Sequence, residues 1–271
     1  MIIARLISSI FVLPSVIFIT WKGGIYFALL IGISSAIAAY ELSKMLKARQ
    51  LPAYPLISGI LSIAFMCYPY ILSTEGNVSI LISGALISIG IFSGSYLIVS
   101  HRIYIPLIEK ILCLITPPMF TAGLLSHAIF IRNDTNGLNW ILILIVIISM
   151  NDSAAFAFGK LIGKIPFFPK ISPNKTLEGS LSGVFLGVLG GLTYRFITEE
   201  PDITIVMTLS LTIFMTVFGQ MGDLFESGIK RVSGIKDSGN IIPGHGGVMD
   251  RIDSFVFTIP VLYYFIQWTA I

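Results

Sequence analysis

Charge is scarce in this sequence. Lys, Arg, Asp and Glu make up 11% of its 271 residues, against about 25% in soluble domains. With 55% hydrophobic residues and a mean hydropathy of +0.90, that scarcity excludes an ordinary soluble fold. Cysteine is scarcer still. Cys67 and Cys113 are the only two, both inside apolar runs, which excludes a disulfide framework or a cysteine-based zinc site. The strict alternation in pieces of about 10 residues that marks a membrane β-barrel is absent, as are low-complexity segments and a long internal repeat. The N-terminal run from Arg5 to Thr20 lacks a small-x-small cleavage site before Trp21-Lys22, so it is expected to be a retained first span rather than a signal peptide.

What is present is long apolar runs. Ile141 to Met150 and Ile203 to Phe218 carry no charge, and about 20 such residues cross a bilayer as a helix. Charged and Gly/Pro/Asn-rich breaks divide the chain into about nine spans, near 4–21, 25–43, 52–73, 78–99, 104–130, 138–159, 179–197, 203–226 and 251–270. The expected fold is all-α, a polytopic transmembrane helix bundle forming one integral membrane domain over 1–271. Pro117-Pro118 is expected to kink or break the fifth span. Gly179, Gly183, Gly187 and Gly191 put a glycine stripe on one face of the seventh, where another helix backbone can approach closely.

The few charges are sorted by side. Arg5, Lys44, Lys47, Arg49, Arg102, Lys110, Lys160, Lys164, Lys170, Lys175, Lys230, Arg231, Lys236 and Arg251 fall on one side of such a bundle; only Lys22, Arg132 and Arg195 fall on the other. The excess of Lys and Arg marks the cytoplasmic side. The acidic loop with Glu199, Glu200 and Asp202 lies opposite.

Carboxylates near span ends require an interior, a cavity or a cation, because a lipid-facing one costs about 2.5–3.5 kcal/mol at the bilayer centre. Asp152, Asp223, Asp250 and Asp253 are of this kind. Asp223, Glu226, Ser227 and Lys230 share a helix face at the end of the eighth span. A glycine-rich loop follows, with Lys236, Asp237 and the run Pro243-Gly244-His245-Gly246-Gly247, whose backbone N–H groups can converge on an anion. Asp250, Asp253 and Ser254 then share a face at the start of the last span, where a helix N-terminus favours anions. Oxygen-only carboxylate ligands suit Mg²⁺ before zinc. The cations and glycines suit phosphate, and the combination points to phosphoryl or nucleotidyl transfer. A second polar stretch, Asn151 to Ser180, interleaves Lys160, Lys164, Lys170 and Lys175 with Ser172, Thr176 and glycines. It reads as a polyphosphate-binding loop or as a basic anchor leading into the seventh span. Asn151-Asp152 is expected to face the protein interior.

The run Ser227-Gly-Ile-Lys-Arg, Lys236-Asp237 and Pro243-Gly-His-Gly-Gly-Val-Met-Asp-Arg-Ile-Asp253 resembles the signature of the phosphatidate cytidylyltransferases. Asn151-Asp152, Gly159-Lys160 and Ser172-Pro-Asn-Lys-Thr-Leu-Glu-Gly179 resemble that family's second motif, in which a Lys is common where Asn174 stands. The resemblance is specific over 150–254; residues 1–140 match it only as hydrophobic spans. It implies a bundle of about nine helices in the inner membrane and a site facing the cytoplasm. The implied reaction is CTP plus phosphatidate giving CDP-diacylglycerol and pyrophosphate, with Mg²⁺ held by Asp223 and Asp250. Whether a second, monovalent cation accompanies it stays open. Asp253 and Asp152 are candidates for further ligation. Lys230, Arg231 and Arg251 are expected to neutralise phosphates. Lys175, Thr176, Ser172, Lys236, His245, Gly246 and Gly247 are expected to bind substrate, His245 either on phosphate or in support of the loop. No nucleic-acid partner is expected, and a homodimer is compatible. A transporter would show inverted repeats with broken helices, and these are absent. A CDP-alcohol phosphotransferase would show a dense Asp-Gly, Ala-Arg, Asp-Asp motif, also absent. A prenyl or ether lipid in place of phosphatidate is not distinguished by sequence.

Overall fold

The computed structural model describes residues 2–72, 106–198, 204–241 and 246–269, with side chains over 12–66, 109–198, 204–241 and 246–269. These residues form α1 (Ile2–Lys22), α2 (Gly24–Ala48), α3 (Pro55–Leu72), α4 (Pro106–Leu125), α5 (His127–Asn133), α6 (Gly137–Ile162), α7 (Leu177–Thr198), α8 (Ile205–Val232) and α9 (Met249–Thr269). Among the described residues there is no strand; Pro166 and Thr176 form an isolated antiparallel bridge. Among the described residues five segments are long and apolar enough to cross a membrane: Gly24–Ala48, Glu109–Asn133, Gly137–Ile162, Leu177–Thr198 and Ile205–Val232. The last helix opens on Asp250, Arg251 and Asp253 and is not one of these five. The expected span at 78–99, Arg102, the acidic loop Glu199, Glu200 and Asp202, and His245 lie outside the described residues.

The chain groups into two compact units. One comprises Met1–Thr135 and Ile229–Ile252, the other Asn136–Gly228 and Asp253–Ile271. In the first, α2, α3 and α4 pack on one another. A lipid-facing surface offers no hydrophobic drive for that packing, so small and hydroxylated residues carry it. Ser35 of α2 lies 2.6 Å from Ser62 of α3 and 3.3 Å from Thr121 of α4, and all three are fully buried. At the far end Arg132 donates to the carbonyls of Thr20 (2.7 Å) and Trp21 (2.9 Å), satisfying the open C-terminus of α1.

Of the kink or break expected at Pro117-Pro118, the helix shows no break. α4 runs unbroken from Pro106 to Leu125, and the interruption comes at Ser126. Neighbouring helices and local hydroxyls can re-satisfy the backbone groups that proline frees; here Thr121 donates to the Pro117 carbonyl at 3.0 Å. Cys113 in this helix is a buried free thiol, consistent with a packing role.

In the second unit the glycine stripe behaves as its spacing implies. A Cβ on Gly179 would sit 2.6 Å from the Ala155 carbonyl oxygen, and one on Gly183 2.9 Å from both the Asn151 carbonyl and its Oδ1. Gly187 and Gly191 receive the methyl groups of Thr216 and Thr212 from α8. α7 therefore lies against α6 at backbone contact and takes threonine methyls of α8 on the same face. Gly222 plays the same part between α8 and α9, where an added Cβ would press on the Asp253 backbone. Gly183→Val is expected to lower folded yield and thermal midpoint in detergent, at the 1–3 kcal/mol scale typical of overpacking, about 2 kcal/mol. A midpoint equal to the parent's would contradict the close α6–α7 contact.

Candidate active site

Each unit holds a cluster of polar residues. In the first unit the centre is Asp250, in the first turn of α9. Its Oδ2 accepts from the Ser238 amide (3.0 Å), the Ser238 hydroxyl (2.9 Å) and the Gly247 amide (2.9 Å). Its Oδ1 pairs with Lys230 Nζ at 2.7 Å, and the two side chains are 7% and 13% exposed. Lys230 comes from the last turn of α8, so the loop from Ser233 to Val248 is closed at its base by this ion pair. The loop's amides do converge on anions, as its glycines led one to expect, but the anions are the protein's own. Gly246 supplies the turn, with φ +85°, a conformation open to glycine at no steric cost.

A residue that sequence reasoning passed over completes this cluster. Glu41 of α2 is 1% exposed. It accepts from the Val248 amide (3.2 Å) and the Met249 amide (2.8 Å), and the Ser238 hydroxyl, which also reaches Asp250, lies 2.9 Å from its Oε2. Those amides stand at the entry to α9, Met249 being its first residue and Val248 the one before it, so Glu41 caps that helix from a different part of the chain. The available signal was its position directly after the apolar run Ile37 to Tyr40, inside the expected span 25–43. The rule that flagged Asp152, that an acid within a span needs a reason, flags Glu41 equally.

In the second unit Lys175 pairs with Asp223 at 2.6 Å, with side chains 27% and 36% exposed. Ser227 donates a longer 3.4 Å bond to Asp223 Oδ1. Lys175 is carried by the loop between α6 and α7. Two backbone bonds, Phe167 N–H to Lys175 O (2.8 Å) and Leu177 N–H to Ile165 O (2.9 Å), tie that loop into a hairpin. Glu178 accepts from the Ile165 amide (3.2 Å), and Thr176 Oγ1 accepts from the Gly179 amide (3.2 Å) as the N-cap of α7. Ser172 shapes the turn through its backbone, its carbonyl accepting from the Lys175 amide at 3.2 Å.

Behind this loop Gln220 of α8 donates to Asn151 Oδ1 (2.8 Å) and to the Ser180 carbonyl (2.9 Å), and Ser180 Oγ bonds back to Gln220 Oε1. Asn151 is fully buried. Asp152 is exposed, with Asn151 Nδ2 donating to it at 2.9 Å. The expectation that both face the interior holds for Asn151 alone, because neighbouring helix residues point about 100° apart. Asp253 is half-buried and accepts from the adjacent Ser254 amide at 2.7 Å. Arg231, Lys236 and Arg251 are exposed, and Glu226 is buried.

Chemically this is a set of carboxylates and ammonium groups fixed by backbone amides. Among the described residues no group of three or more His, Cys, Asp or Glu is placed to hold a metal. Mg²⁺ commonly takes one or two carboxylates and completes its shell with substrate phosphates and water. Asp223, half-exposed and with Oδ1 engaged only at 3.4 Å, has accepting capacity for such an ion.

The sequence model of the cytidylyltransferase family matches residues 3–269. The chain belongs to this family. Phosphatidate cytidylyltransferase of Staphylococcus aureus (strain COL) is 33% identical over 258 residues, 95% of this chain and 96% of that one. The Staphylococcus epidermidis RP62A enzyme of the same name is 34% identical over 259 residues, again 95% and 96%. The Bacillus subtilis (strain 168) enzyme is 33% identical over 264 residues, 96% of each chain. This cytidylyltransferase is therefore a nucleotidyltransferase along its whole length, and the hydrophobic N-terminal spans belong to the family match as well as the motif-bearing part.

Proposed function

We propose that the chain is a phosphatidate cytidylyltransferase, acting at the cytoplasmic face of the bacterial inner membrane and requiring Mg²⁺. The observation that carries the reading is the signature segment itself. Folded, it surrounds Asp250 with Lys230, Ser238 and Gly247, in a chain whose relatives bear that enzyme's name.

In the reaction an oxygen of the lipid phosphate attacks the α-phosphorus of CTP. The new P–O bond forms as the bond to the β-phosphate breaks, and pyrophosphate leaves as an anion that needs no strong general acid. The difficulty is to bring two polyanions together, so positioning and charge neutralisation dominate. Mg²⁺, once bound, would supply charge stabilisation on the phosphoryl oxygens, with Asp223 and Asp250 as its protein carboxylates and Asp253 and Asp152 as candidates beyond them. Lys175 and Lys230 each sit on one of the two principal carboxylates. When substrate phosphates arrive, these lysines are positioned to exchange a carboxylate for a phosphate. Arg231, Lys236 and Arg251 add exposed positive charge. The loop hairpin orients Lys175 through backbone bonds.

The nine-span reading is supported by parity. Arg132 reaches the end of α1, so residues 22 and 132 lie on one side, which requires an even number of crossings between them. α2, α3 and the α4–α5 segment supply three; the apolar run at 78–99 would be the fourth. Reporter fusions after Ala48 and after Thr135 are expected to report opposite sides.

The test of activity is purified full-length protein with labelled CTP and phosphatidate. CDP-diacylglycerol and pyrophosphate are expected in equal amounts with Mg²⁺ and none with excess EDTA. Failure to form any CDP-lipid would overturn the proposal. Turnover only with a prenyl or ether lipid phosphate would keep the nucleotidyl transfer and replace the acceptor.

A further inference from the structure

Glu41 stands some 200 residues from its side-chain hydrogen-bond partners, inside an apolar helix, and is buried. A buried carboxylate persists only when its oxygens are satisfied, and those of Glu41 are satisfied by the segment that identifies the family. Its two oxygens take the Val248 and Met249 amides, the donors at the entry to α9. The same carboxylate presses on the backbone at two glycines: a Cβ on Gly247 would lie 2.5 Å from both oxygens, and one on Gly239 would also meet Oε1. Glycine at 239 and 247 is thus matched to Glu41 as well as to any substrate.

Ser238 links this acid to Asp250. Its hydroxyl oxygen is 2.9 Å from Glu41 Oε2 and 2.9 Å from Asp250 Oδ2. One hydroxyl carries one hydrogen, so it donates to only one carboxylate at a time. If Asp250 turns an oxygen toward a cation, the Ser238 hydrogen has a second acceptor ready, and the loop keeps its attachment to α2.

We propose that Glu41 is a positioning residue for nucleotidyl transfer. It fixes the glycine-rich loop and the first turn of α9 from α2, and through Ser238 it holds the Asp250 carboxylate in its working orientation. This rests on the reading of Asp250 as a carboxylate of the reaction site.

The test uses full-length protein in detergent: the parent, Glu41→Gln and Glu41→Ala. Amide hydrogen exchange is read over 246–250, with 140–150 of α6 as a remote reference, alongside kcat and KM for CTP and for phosphatidate. Glu41→Ala is expected to speed exchange at Val248 and Met249 by about 10-fold with the reference unchanged, and to lower kcat by roughly 100-fold through misplacement of the loop. Glu41→Gln keeps one accepting oxygen at the same reach, so a loss of about 10-fold is expected; it decides the matter if the alanine variant does not fold. A purely structural role would lower yield and thermal midpoint while the surviving folded enzyme keeps the parent's kcat and exchange, and that result overturns the proposal. If the parent itself forms no CDP-lipid, the functional reading fails, whereas unchanged exchange at Val248 and Met249 would sink the clamp alone.

Discussion

Asp250→Asn is expected to abolish CDP-lipid formation and to destabilise the protein. The substitution keeps size and removes charge, and the geometry shows why it is not conservative here. The carboxylate presents acceptors on both sides: Lys230 on Oδ1, and the amides of Ser238 and Gly247 with the Ser238 hydroxyl on Oδ2. An asparagine has one accepting oxygen. If that oxygen serves the two backbone amides, its NH₂ group faces the Lys230 ammonium, donor against donor. If it serves Lys230, the amides of the buried residues Ser238 and Gly247 lose their acceptor. With the pair only 7% and 13% exposed, either arrangement leaves a largely desolvated charge or donor, and breaking a buried pair costs about 3 kcal/mol or more. Turnover is expected to fall by at least about 10³-fold, the scale of removing a principal electrostatic group. The checks are initial rates with labelled CTP and the thermal midpoint in the same detergent. Turnover near the parent's would remove Asp250 from the reaction. An unchanged midpoint would contradict its part in the loop.

Much of this arrangement was legible in the sequence, and the residues show why. The span limits follow from runs of apolar residues, a signal carried by many positions at once, so α2, α6, α7 and α8 begin and end within about six residues of the expected bounds. The glycine period of four in α7 reports a helix face directly, and the structure puts α6 and α8 on that face. Local rules failed where tertiary surroundings override them. Pro117-Pro118 reads as a kink or a break, and the helix runs on without a break, with Thr121 bonded to the Pro117 carbonyl. Asn151-Asp152 reads as one motif, yet the helix turns one residue in and the next out. Glu41 could not be tied to the glycine-rich loop by any spacing, because its partners lie 197 to 208 residues on. The Lys175–Asp223 pair likewise joins two stretches that sequence had placed in one site without pairing them. Composition reveals which residues demand partners; only the packing of helices far apart in the chain reveals which partners they find.

Asp223→Asn, by contrast, is expected to abolish turnover while leaving stability nearly untouched. The difference from Asp250 is one of exposure and of donors. Asp223 is 36% exposed and Lys175 27%; apart from Lys175, the Ser227 hydroxyl reaches it at 3.4 Å. Ion pairs in such water-accessible positions contribute about 0–1 kcal/mol, so the thermal midpoint should move little and the protein should remain in the membrane, folded. A carboxylate that contributes little to the fold yet stands at the end of an apolar helix, paired with the lysine of a hairpin loop, is available for a cation and substrate phosphates. Its loss is therefore expected to cost at least about 10³-fold in turnover. Lys175→Gln separates the pair's two roles. If Lys175 binds phosphate, the variant raises KM for CTP, and the loss should be roughly 10–100-fold, smaller than that of Asp223→Asn. If Lys175 serves only to hold Asp223 in place, the double variant Lys175→Gln/Asp223→Asn will be no worse than Asp223→Asn alone and KM for CTP will not move in the single lysine variant, as a double-mutant cycle would show. Parent-level turnover in Asp223→Asn would eliminate the carboxylate from the proposed Mg²⁺ site and leave Asp250 to carry that reading without it.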